Sequence, residues 1–248
     1  IGNKTVSTPN LDKLAKEGIV LDRFYVSPVC SPTRAELMTG RYHVRSGVTG
    51  TSSGFERLDL DEVTFAEVFK KNGYRTGIFG KWHNGGQAPY HPNTRGFDEF
   101  YGHLGGGHTY FPEKLTIQRS QDAEDEPQSY ISWLLKGYEP VPPRKYLTDD
   151  FSDEAVSFVD RNRDWPFFLF LSYNAPHGPL EATPKYLNRF SHLPEGKRKT
   201  YAAMVSAVDD GVGRLLKKVR EHDLEEKTMI VFLSDNGGPS SKNGSSNA

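Results

Sequence analysis

Residues 165–172 read Trp-Pro-Phe-Phe-Leu-Phe-Leu-Ser, "WPFFLFLS". A strand with one wet face alternates apolar and polar residues. An unbroken apolar run of this length instead fits a strand covered on both faces. Working outward, Asp149 to Arg161 has helical spacing, with Phe151, Ala155, Phe158 and Val159 roughly on one face. Beyond the strand, residues 197–222 read as a long helix with Met204, Val208, Leu215 and Val219 inward. Thr228 to Ser234, "TMIVFLS", repeats the buried-strand pattern. Toward the N-terminus, Ser7 to Gly18 reads as a helix with Leu11, Leu14 and Ala15 on one face and Gly18 as its cap. Ile19 to Val26 alternates as a strand, Val63 to Asn72 forms an amphipathic helix stopped by Gly73, and Tyr74 to Gly80 forms a short strand. Residues 85–148, rich in Gly, Pro, His and aromatics, read as long loops with a few short strands. Helices alternating with buried strands predict an α/β fold, a mostly parallel or mixed central sheet flanked by helices. One domain is expected over 1–240, followed by a disordered Ser/Gly/Asn-biased tail at 241–248.

Bulk composition excludes several classes. Lys and Arg number 31 against 32 Asp and Glu, a net charge of −1, so no global charge points to nucleic acid or an acidic membrane surface. No apolar run approaches the ~20 residues that span a bilayer. A single cysteine rules out an internal disulfide framework. The chain opens at Ile1-Gly2-Asn3 without Met or a visible signal segment and reads as part of something longer.

In α/β sheets ligands sit beyond the carboxyl ends of strands. Here "GIFG" runs into Lys81-Trp82-His83, "FFLFLSYNAP" into His177, and "MIVFLS" into Asp235-Asn236-Gly237. Singly these are bland: a capping histidine, a turn, a solvated strand end. Together at one sheet edge they suit an oxyanion, held by Lys and His, beside a hard metal on Asp and Asn oxygens. The lone cysteine lies in "VCSPTRAELMTG", residues 29–40. Ser31 fits a helix cap and Pro32 the first helical position, which puts Cys30 at a helix N-terminus with Arg34 one turn in. That end of a helix favours negative charge. A small buried hydrophobe, a thiolate nucleophile and a group aimed at an anion all fit this pattern.

Cys30-Ser31-Pro32-Thr33-Arg34 followed by Leu37-Met38-Thr39-Gly40 resembles the signature of type I sulfatases, formylglycine-dependent enzymes of the alkaline-phosphatase superfamily. "GKWH" at 80–83, "NAPHGP" at 174–179 and "SDNGG" at 234–238 continue the match in family order, so the resemblance covers nearly the whole chain. It implies an alkaline-phosphatase-like large domain and hydrolysis of a sulfate ester. By the same resemblance Cys30 becomes formylglycine, hydrated to a gem-diol nucleophile and metal ligand. Arg34 holds the diol, Lys81 contacts sulfate, His83 assists collapse of the sulfated intermediate, and His177 lies near the leaving oxygen. Asp235 and Asn236 bind Ca²⁺. His108, in "GGGHTYF", is a further sulfate or substrate contact, with an ordinary glycine-rich turn as the alternative. The implied partners are a formylglycine-generating enzyme and a sulfated glycan or small molecule, with Trp133 a candidate sugar contact or core residue. A periplasmic or secreted location is implied only by the resemblance.

Departures from the family pattern temper these expectations. A paired-Asp calcium motif belongs before the segment where this chain starts, and Lys242 is too close to Asn236 to be assigned as the family's later lysine. A C-terminal subdomain is also expected beyond this chain. The 248 residues alone are therefore expected to bind calcium poorly and turn over slowly or not at all. A phosphomonoester, phosphodiester or phosphonate hydrolase of the same superfamily, a non-catalytic sulfated-glycan binder and a thiolate hydrolase are the competing readings.

Overall fold

The computed structural model describes residues 5–114 and 133–238, and the statements below concern those residues. Their centre is a five-stranded mixed sheet in the order β4-β3-β2-β1-β5. β1 (Arg75–Lys81) runs parallel to β2 (Glu99–His103) on one side and β5 (Phe167–Ser172) on the other. β3 (Leu134–Lys136) and β4 (Glu139–Pro140) complete the far edge in antiparallel pairing. Three parallel strands end at the same edge. Lys81 pairs with His103 across the β1–β2 ladder, and Gly80 pairs with Ser172 across β1–β5.

Alternation along β1 and β2 builds a layer on each face. Phe79 and Tyr101 point to one side, into a core with Phe151, Ala155 and Phe158 of α4 (Leu147–Asn162) and Ala203, Met204 and Ala207 of α6 (Lys197–Glu221). The short α5 (Pro184–Leu187) adds Tyr186 to it. Ile78 and Phe100 point to the other side, against Ala35 and Met38 of α2 (Cys30–Thr39) and Ala66 of α3 (Phe65–Lys71). Trp133 is half-buried against this second core. α3 starts at a capping box in which Thr64 and Glu67 each bond the other's backbone N–H. α1 (Pro9–Glu17) lacks such a side-chain cap of its own. Buried Asp209 of α6 supplies it, accepting from the backbone N–H groups of Leu11 at 2.9 Å and Asn10 at 3.2 Å.

Several expectations are corrected. Ile19–Val26 and Thr228–Ser234 are not strands. Ile19 and Met229 are each 89% exposed, and neither segment has a ladder partner among the described residues. An apolar strand pattern records a need for a partner, not its presence. β5 is half-buried until its last residue because it is an edge strand here, with β1 alone beside it. Gly18 ends α1 in extended rather than left-handed backbone (φ −119°, ψ −153°). The tail at 241–248, with Lys242, lies outside the described residues.

Candidate active site

α2 begins at Cys30 itself, with Val29 extended at the cap position, two residues earlier than the cap expected at Ser31. Ser31 has another partner: its Oγ donates to the His83 carbonyl at 2.7 Å, tying the first turn of α2 to the exit of β1. That tie brings Cys30 Sγ to 3.2 Å from His83 Nδ1. On the far side of the ring, Nε2 lies 2.7 Å from the Thr51 carbonyl oxygen. A carbonyl only accepts, so Nε2 carries the hydrogen and Nδ1 turns its lone pair to the sulfur. His83 sits at φ 58°, the left-handed region that side chains other than glycine seldom occupy. Gly80, at φ 120°, is required by packing as well: a Cβ there would run into the Ser172 carbonyl. The close approach of β1 to β5 at this point positions Lys81.

Arg34 is the hub beneath the thiol. Its Nε donates to the Trp82 carbonyl at 2.8 Å, and one terminal nitrogen donates to both the Lys81 carbonyl and Ser172 Oγ. Its other terminal nitrogen lies 3.4 Å from the Asp235 carboxylate. Arg34 and Lys81 are 4% and 2% exposed, so two cations are buried at one point. Burial pulls both pKa values down, while Asp235 and Cys30 push them back up. Buried cations that face so little negative charge favour an anionic ligand.

The histidines take the opposite state. Burial drives His83 well below its ordinary pKa, and Lys81 adds to the effect. His177 is lowered in the same direction, first by burial. It lies between Pro176 and Pro179, with its backbone N–H on the Asn174 carbonyl at 2.8 Å and its Nδ1 2.8 Å from the Gly178 carbonyl. Lys81 also opposes protonation of His177, and His177 in turn opposes that of His83, so the three lie within electrostatic reach of one another. His108 is 1% exposed, beside His103, with ring centres 5.3 Å apart. Asp235 joins the cluster through Arg34. Asn236 is half-buried and donates its side-chain N–H to the Gly237 carbonyl at 2.8 Å.

Asp235 and Asn236 offer hard oxygen donors, right in kind for Ca²⁺. Among the described residues no group of three or more His, Cys, Asp or Glu converges to hold a metal. The set thus fits calcium in chemistry and falls short of the roughly 6–8 ligands it takes. Residue reading missed His103, Ser172 and Asn174. Each stands at or just beyond the carboxyl end of β2 or β5, so the rule that found Lys81 reaches all three.

The pattern of the family described as Sulfatase matches residues 1–247. This chain belongs to the sulfatase family. It is 31% identical to N-acetylgalactosamine-6-sulfatase of Homo sapiens over 95% of this chain and 46% of that protein. It is 33% identical to the uncharacterized sulfatase YdeN of Escherichia coli K12, over 96% of this chain and 45% of that one. Among solved structures, Ps i-CgsB in complex with k-i-k-neocarrahexaose matches with a TM-score of 0.89 at 41% identity, over 99% of this chain and 56% of that chain. The sulfatase chain thus spans about half the length of the relatives it matches, and its fold is the alkaline-phosphatase-like α/β domain expected above.

Proposed function

We propose that the sulfatase of which this chain is a part hydrolyses sulfate esters of a carbohydrate, with Cys30 converted to formylglycine as the reacting group. The observation that carries this is the placement of Cys30 Sγ, 3.2 Å from a base-oriented His83 Nδ1 and next to buried Lys81 and Arg34. A formylglycine-generating enzyme would supply the oxidation of the thiol side chain to an aldehyde, and water would add to give the diol. One diol oxygen attacks sulfur and gives up its proton, the bond from sulfur to the sugar oxygen breaks, and the sugar oxygen takes up a proton in exchange and leaves as an alcohol. The second hydroxyl then gives its proton to His83 Nδ1 as the aldehyde re-forms and sulfate departs. Thr51 fixes the tautomer that can accept that proton. Lys81 and Arg34 oppose the charge on the sulfate oxygens, which they can do strongly in a dry site. His177 stands near the leaving oxygen. Ca²⁺, with Asp235 and Asn236 among its ligands, would polarise the sulfate oxygens when bound.

The 41% likeness to a protein bound to k-i-k-neocarrahexaose makes a carrageenan-type oligosaccharide the first substrate to try. A compartment outside the cytoplasm belongs to the same reading. No helix among the described residues is long and apolar enough to cross a membrane. The test is the mass of the tryptic peptide Phe24–Arg34 from full-length protein made with the modifying enzyme, followed by turnover of an aryl sulfate against an aryl phosphate. Formylglycine at Cys30 with preference for the sulfate is expected. An unmodified thiol, or preference for the phosphate, refutes the proposal.

A further inference from the structure

Two buried imidazoles at the site have no part in the chemistry above. His103 closes β2 in register with Lys81, and His108 follows five positions on. They are 0% and 1% exposed. His103 Nδ1 lies 3.0 Å from the Gly105 carbonyl oxygen, and His108 Nδ1 lies 2.8 Å from that of Thr109. Both contacts require the hydrogen on Nδ1. In the neutral ring Nε2 is then a bare acceptor. For both histidines Nε2 is buried and finds no hydrogen-bond partner among the described residues.

The surroundings hold the rings in that state. Burial opposes protonation of each, and Lys81 and Arg34 oppose it further at His103, while the Thr109 carbonyl and then Glu181 pull the other way at His108 without overcoming burial. The loop that carries His108 is pinned as well. Tyr110 donates its hydroxyl to the His177 carbonyl at 2.8 Å and its backbone N–H to Glu181 at 2.8 Å. Glu181 is fixed in turn by Lys114 at 2.6 Å. His108 is thereby held between the end of β2 and the His177 segment. Polar atoms kept buried and unpaired on a rigid frame are what a preorganised binding site looks like before its ligand arrives.

We infer that His103 and His108 form a hydroxyl-reading subsite, whose Nε2 atoms accept hydrogen bonds from sugar hydroxyls next to the sulfated carbon. A sulfate oxygen has no hydrogen to give and gains nothing from a bare imidazole nitrogen. His108 therefore reads the alcohol side of the substrate and leaves the sulfate to Lys81 and Arg34. The inference rests on the site being one for a sulfated carbohydrate and adds which residues recognise the sugar.

The test uses full-length protein in two arms. In the first, calorimetry measures k-i-k-neocarrahexaose binding to a Cys30→Ala background, with and without His103→Phe and His108→Phe. Each phenylalanine keeps a ring and removes the acceptor, and about tenfold weaker binding is expected for each. His108→Asn, which restores a neutral acceptor, should recover most of the loss; it also serves if a phenylalanine variant does not fold. In the second arm, with Cys30 intact, the ratio of kcat/KM for the hexaose to that for p-nitrophenyl sulfate should fall about tenfold in each variant. Unchanged binding, no binding by the parent, no rescue by asparagine, or an equal fall on both substrates overturns the subsite. A parent that binds the hexaose but turns over neither substrate refutes the hydrolase reading alone, and the calorimetric arm still decides the subsite.

Discussion

Replacing Arg34 with Met tests whether one buried guanidinium ties α2 to the sheet edge. The side chain is 4% exposed and makes hydrogen bonds to the Trp82 carbonyl, the Lys81 carbonyl and Ser172 Oγ. Losing it does not orphan all of them equally. The Lys81 carbonyl keeps Ser172 Oγ as donor at 2.7 Å, whereas the Trp82 carbonyl retains only Asn84 Nδ2 at 3.5 Å, too long to replace what is lost. Asp235, its side chain 32% exposed, is rescued by water, so that ion pair adds under about 1 kcal/mol. Hydrogen bonds from a charged donor are worth roughly 1.5–3 kcal/mol each, against which stands relief from burying the cation. The net loss should be about 3 kcal/mol. For a chain of this size that lowers Tm by roughly 6–12 °C. Urea unfolding of the two proteins measures it as a fall in midpoint with an unchanged slope. Arg34→Lys keeps the charge but not the planar fork, and should lose about 2 kcal/mol. A loss under about 1 kcal/mol for Arg34→Met would refute the reasoning, because the guanidinium would then be a spectator to folding.

Three further outcomes follow. Asp150, 0% exposed, accepts from Tyr101 at 2.5 Å and from Arg144 Nε at 2.9 Å; Asp150→Ala should cost about 2–3 kcal/mol in urea melts, chiefly by leaving the Tyr101 hydroxyl unpaired, because half-exposed Arg144 keeps Glu154 at 2.7 Å. His83, His91, His103, His108 and His177 all have folded pKa values below the ordinary 6.5, so the unfolded chain binds more protons; each contributes stability that is present above about pH 6.5 and falls below it by up to about 1.4 kcal/mol per pH unit until its folded value is reached, and unfolding midpoints between pH 7 and 5 check the combined fall. With Asp235 and Asn236 as its hard ligands, the 248-residue chain should bind Ca²⁺ no tighter than about 10⁻⁴ M in calorimetry, and micromolar binding would contradict that.

Much of the fold was legible because its signals are local. The 3.6-residue period of α4, the amphipathic run of α3 stopped by Gly73 and the apolar run of β5 each lie within one element. Burial was less legible, since it depends on which strands are adjacent. β5 reads as covered on both faces and is half-exposed, and Met229 to Phe232 reads as a strand and lies in water. The site divides in the same way. Lys81, His83 and Cys30 stood out because motifs at strand and helix ends carry them. Ser172 did not, because a serine closing an apolar run looks like punctuation until Arg34 is seen to bond it. Asp209 was invisible for a similar reason: a carboxylate in mid-helix caps another helix about two hundred residues away in sequence.

The charge pattern at the sheet edge separates two recognition tasks. Burial lowers the pKa of Arg34, Lys81 and the histidines there, yet it leaves them in different states. An arginine or lysine starts from 12.5 or 10.5 and keeps its proton after a substantial fall, while a histidine that starts from 6.5 loses it. The same desolvation therefore leaves Arg34 and Lys81 as cations in a dry site and favours the neutral form of His83, His103 and His108. Under the proposed function, positive charge is concentrated where the sulfate would bind, and bare ring nitrogens stand where hydrogens would be accepted or read. Were the three imidazoles charged as well, sulfate would bind more tightly, but His83 could take no proton and the sugar hydroxyls would meet only donors. Neutrality of the histidines thus follows from the burial that strengthens the cations, and the two properties should be lost together in any variant that lets water into the cluster.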